Sequence, residues 1–216
     1  MLHEYKLSSG FGSIDDKLLI SLRATDYILK SGNEIEDIAH GLAFQARWNG
    51  QTRGKYVFSV ANHSILVWNI LLLENPKIKK KWQLISLLHD APEYVIGDMI
   101  SPVKKQIGNS YIDLEKKLQE AIHIRFGLPA IIPKNIKSKI KIADRKAAWI
   151  EATEIAGFDL KEANKYFLEP DQIIIKKCKI VLKDPLKTRE EFLNIYKIFS
   201  FNMRELNKHR KRKRWH

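Results

Sequence analysis

The stretch from Lys81 to Lys104, KWQLISLLHDAPEYVIGDMISPVK, carries an apolar helical run straight into a histidine and an aspartate. Trp82, Leu84, Ile85, Leu87 and Leu88 leave that helix little surface for solvent, so the rest of the chain must pack around it. His89 and Asp90 therefore arrive side by side at the end of a buried segment, with Glu93, Asp98 and Lys104 following. An imidazole and a carboxylate in such a place are costly unless something cationic binds both. A divalent metal meets that need, because neutral imidazole nitrogen and carboxylate oxygen together suit Mn, Fe, Co, Ni or Zn. The dipeptide alone also reads as a helix-end histidine beside a capping aspartate.

Around this stretch the pattern is helical. Asn33 caps a helix whose apolar face is Ile35, Ile38, Ala39, Leu42 and Ala46, with acidic residues in its first turn. It ends near Arg47-Trp48-Asn49-Gly50, where Asn-Gly signals a turn, and Lys55 to Phe58 reads as extended. Ser59 opens a helix that Asn75-Pro76 closes, and Lys77 to His89 forms the next. A short helical turn and a loop through Gly97, Pro102 and Gly108 precede an amphipathic helix over Tyr111 to Phe126. Pro133 opens a long helix through Ile155, Lys161 to Phe167 adds a turn or two, and Ile173 to Lys183 reads as either strand or helix. Thr188 to Leu206 is the final helix. The reading is an all-α fold, with one helical bundle domain over residues 34–207. Residues 1–33 form an extension packed on it, read as a short helix or a strand pair (an N-terminal hairpin).

An apolar content of 44% supports folding, and a single cysteine, Cys178, excludes an internal disulfide and a cysteine-based zinc site. No apolar stretch approaches a membrane span, so a cytoplasmic protein without a membrane partner is expected. The net charge of +13 is concentrated at the end: six of those charges sit within residues 208–216, a basic flexible tail, leaving +7 for the rest. That body favours phosphorylated substrates. A basic nucleic-acid-binding protein on a degenerate fold is the alternative of a different class, but no recognition motif or aromatic-basic interleaving supports specific nucleic-acid binding. A homodimer is expected.

Two further residues carry charge or lone pairs in apolar surroundings. His63 lies in SVANHSIL, and Asp144 in KIKIADRKAAW. Singly, each has an ordinary reading, as a satisfied core histidine and a surface salt bridge. The order His, His-Asp, Asp, with each member on a helix, is far less ordinary. With it the chain resembles the HD-domain superfamily of metal-dependent phosphohydrolases, most nearly the branch of bacterial 5′-deoxynucleotidases. The likeness runs from about Glu36 to Glu154; HDAPEYVIGD is similar to that family's HDxxE…GD run, SPVK to its T-P-V-K run, and RWNG followed by SVANHS to its upstream Arg-Trp pair and first histidine. It implies an HD-domain bundle with His63, His89, Asp90 and Asp144 as ligands of one divalent metal ion, drawn from Co, Mn, Fe, Ni, Zn or Mg.

The chemistry implied is hydrolysis of a nucleotide phosphate, most simply a deoxynucleoside 5′-monophosphate, with a dNTP triphosphohydrolase as the near alternative. Arg47 suits a bidentate clamp on phosphate. Lys104 offers a point charge, or is a solvated lysine. Glu93, three residues beyond Asp90, falls on the same side of a continuing helical turn and is placed to orient water or move a proton, together with Asp90 in the catalytic set. Trp48 offers a flat wall to a sugar or packs in the core; the resemblance implies deoxyribose. Asp98, Met99, Ile100 and Ser101 match the nucleotide-contacting loop, although Ile100 replaces the proline of the family's D-L-P-T pattern. His40 reads as structural, Glu154 as the core partner of an arginine, and His123 as a surface residue.

Overall fold

The computed structural model describes residues 35–212, without the side chains of residues 101, 102, 105 and 200–212. The expected Asn33 cap, the N-terminal extension with its hairpin and the last four residues of the tail lie outside the described residues. The fold is all-α: among the described residues helix dominates and no sheet forms. One isolated antiparallel bridge joins Ala46 to Ser59.

Helix α1 (Ile35–Phe44) buries Ile35, Ile38, Ala39, Leu42 and Ala43, the stripe its periodicity demands. Helix α2 (Val60–Glu74) starts at a reciprocal cap, in which Ser59 accepts from the Asn62 amide and Asn62 accepts from the Ser59 amide. Its apolar residues face nearly all round, and it becomes the central helix, packed on α1, α3 (Lys80–Leu87), the long helix α7 (Lys134–Glu154) and the last helix α10 (Pro185–Arg212). Pro133 precedes α7, as its fixed φ allows. Between α3 and α7 run a four-residue helix α4 (Glu93–Ile96), α5 (Ser101–Ile107) and α6 (Asn109–Arg125). Short helices α8 (Leu160–Tyr166) and α9 (Gln172–Lys177) are capped by the Asp159 and Asp171 carboxylates.

Several boundaries differ from the sequence reading. Helix α5 occupies part of the expected loop, because Pro102 sits in its first turn, where a missing N–H removes no helical bond. The ambiguous segment begins as helix α9 and leaves it at Cys178. Helix α10 extends to Arg212; lysine and arginine are good helix formers, and cations at a helix C-terminus suit its dipole. Deleting residues 208–216 is expected to leave the melting temperature nearly unchanged while weakening salt-sensitive binding to duplex DNA, since each cation lost removes counterion release. A drop of several degrees would show that the segment packs on the domain.

His123 is not a surface residue. It is 1% exposed, because α6 buries a wide face that includes Leu118, Ala121 and Ile122. Its Nδ1 lies 3.5 Å from the Ala130 carbonyl, and its Nε2 faces Gln119 Nε2 at 2.8 Å. Gln119 in turn donates to the Leu88 carbonyl at 3.0 Å, tying α6 to the turn that carries His89. Burial holds the pKa of His123 down, in keeping with a neutral ring that accepts from Gln119.

Gly41 lets α1 and α4 touch: a Cβ there would stand 2.9 Å from Tyr94 Cβ. Gly41→Val is expected to destabilise by about 1–3 kcal/mol through overpacking, lowering the melting temperature by about 2–4 °C for each kcal/mol. An unchanged melting temperature would show that α4 yields freely. Among the described residues no helix is long and apolar enough to cross a membrane.

Candidate metal centre

Helix α3 stops at Leu87, and Pro92 five residues on cannot continue it. Short-range bonds, Ala91 N–H to Leu88 and Glu93 N–H to Asp90, turn the chain and hold His89 and Asp90 just past the helix end. Opposite them, α2 brings His63 from the end of its first turn and α7 brings Asp144 from its middle. His63 Nε2 lies 3.3 Å from His89 Nε2, 3.4 Å from Asp90 Oδ2 and 3.3 Å from Asp144 Oδ1, and His89 Nε2 lies 3.2 Å from Asp90 Oδ2. His63, His89 and Asp90 form a group able to hold a metal ion. Asp144 adjoins it through His63, and its second oxygen meets Lys141 Nζ at 2.7 Å.

The outward nitrogens of both rings are already engaged. His89 Nδ1 lies 2.8 Å from the Ser86 carbonyl, and His63 Nδ1 lies 2.5 Å from Glu151 Oε1. A carbonyl only accepts, so His89 Nδ1 carries a proton, and in the neutral ring the lone pair is the one on Nε2, facing the cluster. Donor atoms about 2.0–2.2 Å from one ion stand roughly 3–3.5 Å from each other; the separations among His63, His89 and Asp90 fall in that range. Nitrogen and oxygen donors of this kind fit a divalent metal.

The electrostatics agree. Burial and the Arg47 charge would depress the His63 pKa, but Glu151 and Asp144 outweigh them and push it up to about 10. Burial would raise Asp90 and Asp144, yet the two histidines hold both carboxyls well below the usual range. The centre of the cluster thus draws in positive charge, as a proton on His63 or as a metal in its place.

Arg47 has an extended backbone whose N–H bonds the Phe58 carbonyl at 2.9 Å. The next three residues, Trp48, Asn49 and Gly50, all have positive φ, at 55°, 52° and 73°. This left-handed turn sends Arg47 Nη1 toward Asp90 Oδ2 at 3.6 Å and Nε toward Glu151 Oε2 at 3.2 Å. Trp48 Nε1 donates to the same Glu151 oxygen at 2.9 Å, while its ring packs edge-on against Phe158 and Phe167. Burial is outweighed by Glu151, Asp90, Asp98 and Glu93, so the Arg47 guanidinium is firmly charged.

Glu93 is buried, and its Oε2 has no hydrogen-bond partner among the described residues. Burial, then the charges of Asp90 and Asp98, push its pKa up to about 9 against the opposing pull of Arg47 and Lys104. Lys104 Nζ lies 3.6 Å from Glu93 and 2.7 Å from Glu115, so it is held between two acidic side chains. Asp98 and Met99 are half-buried and Ile100 is exposed; burial also raises the Asp98 carboxyl. Ser101 opens α5, and its side chain is outside the described set.

One sequence expectation needs correction here. Glu154 is exposed and accepts from the Ile180 amide at 2.9 Å instead of pairing with a core arginine. The carboxylate that does so is Glu151, fully buried and absent from the sequence reading. Its signal was available: Glu151 follows Asp144 by seven residues, two turns along one face of α7, within the apolar run AAWIEA. His40 is exposed, its ring stacked on Phe44 at 4.5 Å.

Over 159 residues, 74% of this chain, the sequence is 54% identical to the uncharacterized protein RCAP_rcc00048 of Rhodobacter capsulatus, of which it covers 81%. Over 112 residues, 52% of this chain, it is 28% identical to the uncharacterized protein YfdR of Escherichia coli, covering 57% of that protein. No family model matches the chain.

Proposed function

The chain belongs to the family of the Rhodobacter capsulatus protein, and from the geometry of its four-residue cluster we propose that it is an HD-type, metal-dependent phosphohydrolase acting on deoxynucleoside 5′-monophosphates. One observation carries the reading. Two imidazoles with their Nδ1 atoms engaged and two ionised carboxylates converge around His63 Nε2, with a guanidinium at 3.6 Å from one of those carboxylates. His63, His89, Asp90 and Asp144 would hold the ion, which when bound supplies Lewis acidity and an activated water for phosphate-ester hydrolysis.

The remaining groups have separable tasks. Arg47, fixed through Nε, presents Nη1 at the edge of the cluster, where it can meet a phosphate oxygen. Glu93, kept protonated at neutral pH, can give a proton to the leaving nucleoside oxygen. Lys104 steadies Glu93 and offers its charge to an incoming anion. Trp48, beside the clamp, is the side chain best placed to face the sugar.

A hydrolysis panel of ribo- and deoxynucleotides with Co, Mn, Mg or Zn, reading phosphate, pyrophosphate and triphosphate separately, tests the proposal. Release of phosphate from deoxynucleoside monophosphates supports it, release of triphosphate moves the substrate to dNTPs, and no release with any loaded metal overturns it. Glu93→Gln is expected to lower turnover by roughly 10²–10⁴-fold with metal content intact. The same change should stabilise the metal-free protein at pH 8 relative to pH 5. A carboxyl whose folded pKa lies above its unfolded value loses stability as pH rises between the two, here from the ordinary glutamate value toward about 9. Wild-type turnover in Glu93→Gln would remove it from the proton path.

A further inference from the structure

We propose that Glu151 is the positioning residue of this centre, fixing the donor atom of His63 with one carboxylate oxygen and the direction of Arg47 with the other. The proposal rests on the metal-centre reading above. Glu151 is fully buried, so no bulk water competes for its oxygens. Oε1 meets His63 Nδ1 at 2.5 Å, a contact that places a proton on Nδ1 and leaves Nε2 facing His89, Asp90 and Asp144. Oε2 accepts from Trp48 Nε1 at 2.9 Å and Arg47 Nε at 3.2 Å. Bonding through Nε leaves the far end of the guanidinium free to extend toward Asp90. The two donors to Oε2 are the residue before, and the first residue of, a backbone that turns left-handed at Trp48 and Asn49, a conformation that needs outside support. Metal side and anion side are thus wired to a single carboxylate on α7, two turns beyond the ligand Asp144 on the same helix.

A glutamine at 151 has one acceptor atom and one amide N–H₂, so it can serve only one side while turning donors on the other. Glu151→Gln is expected to bind Co(II) roughly 10–100-fold more weakly in calorimetric titration, and to raise KM for a phosphate monoester roughly tenfold or more through the loosened Arg47. Glu154→Gln, on the exposed face of the same helix, should change neither. A folded Glu151→Gln protein that binds Co(II) as tightly as the parent overturns the proposal.

The wild-type protein supplies a second readout should that variant fail to fold. In ¹⁵N spectra of the Zn(II)-loaded chain, His63 should carry its proton on Nδ1 and show the metal shift at Nε2. Zinc at Nδ1, or a proton on Nε2, overturns the proposal. These measurements stand apart from turnover: the metal reading fails only if the wild type binds neither ion, and the hydrolase reading fails only if the loaded protein releases no phosphate.

Discussion

Asp144→Ala is expected to lose most of its bound divalent metal and roughly 10³-fold in phosphatase turnover, the scale of several kcal/mol of transition-state charge stabilisation. Asp144 touches His63 from inside the cluster and Lys141 from outside, so its loss leaves an exposed lysine, while buried His63 keeps Glu151 and Asp90 beside it. The protein should remain folded, which makes metal content by elemental analysis a clean measurement. Wild-type metal and turnover would remove Asp144 from the ligand set. A pH dependence accompanies the result. In the metal-free protein His63 has a folded pKa of about 10, above its unfolded value. Its contribution is therefore fully present below about pH 6.5 and is lost as pH rises toward 10. A metal replaces that proton, so the gain in melting temperature on adding metal should grow between pH 6.5 and 9 in the wild type. In Asp144→Ala it should be nearly absent at every pH.

Arg47→Ala should lower turnover of every phosphorylated substrate by roughly 10²-fold or more, the cost of one lost charge-assisted contact in the transition state. The residue has a second duty, since it neutralises part of Glu151 and Asp90. Arg47→Ala should therefore also melt earlier than the wild type, while Arg47→Lys keeps charge but not the fork. Trp48→Ala is expected to behave differently. If the indole faces the sugar as proposed, discrimination between dAMP and AMP should fall by roughly 1–3 kcal/mol, with metal content unchanged. If a folded Trp48→Ala enzyme kept its full preference, the ring packed against Phe158 and Phe167 would be purely a core residue, and the deoxyribose reading would lose its support.

The legible residues were those whose type and surroundings disagree. His63, His89, Asp90 and Asp144 each interrupt an apolar helical pattern, and that conflict can be read without coordinates. Glu151 interrupts one too, but the core carboxylate of α7 was assigned to Glu154, one turn further on and on the exposed face. The error lies in angular position, which decides burial and which composition does not carry. His123 was missed for a related reason: an amphipathic pattern marks one face, whereas α6 is covered over a wider arc by the segment after it. The hidden part of the site is backbone. Asn49-Gly50 announced a turn, but nothing in the letters says that the left-handed region begins one residue earlier, at a tryptophan.

That turn bears on how the chain can change. At φ 55° a bulky side chain crowds the backbone, and glycine is the residue that sits there without strain. Selection for thermal robustness alone would thus drift toward glycine at position 49, and at position 48 would trade an indole for backbone relief. Under the function proposed above, a tryptophan in that conformation, bonded through Nε1 to a buried carboxylate, is where robustness and activity would pull in opposite directions. Stabilising this protein by design therefore begins elsewhere, at exposed helical positions far from the turn.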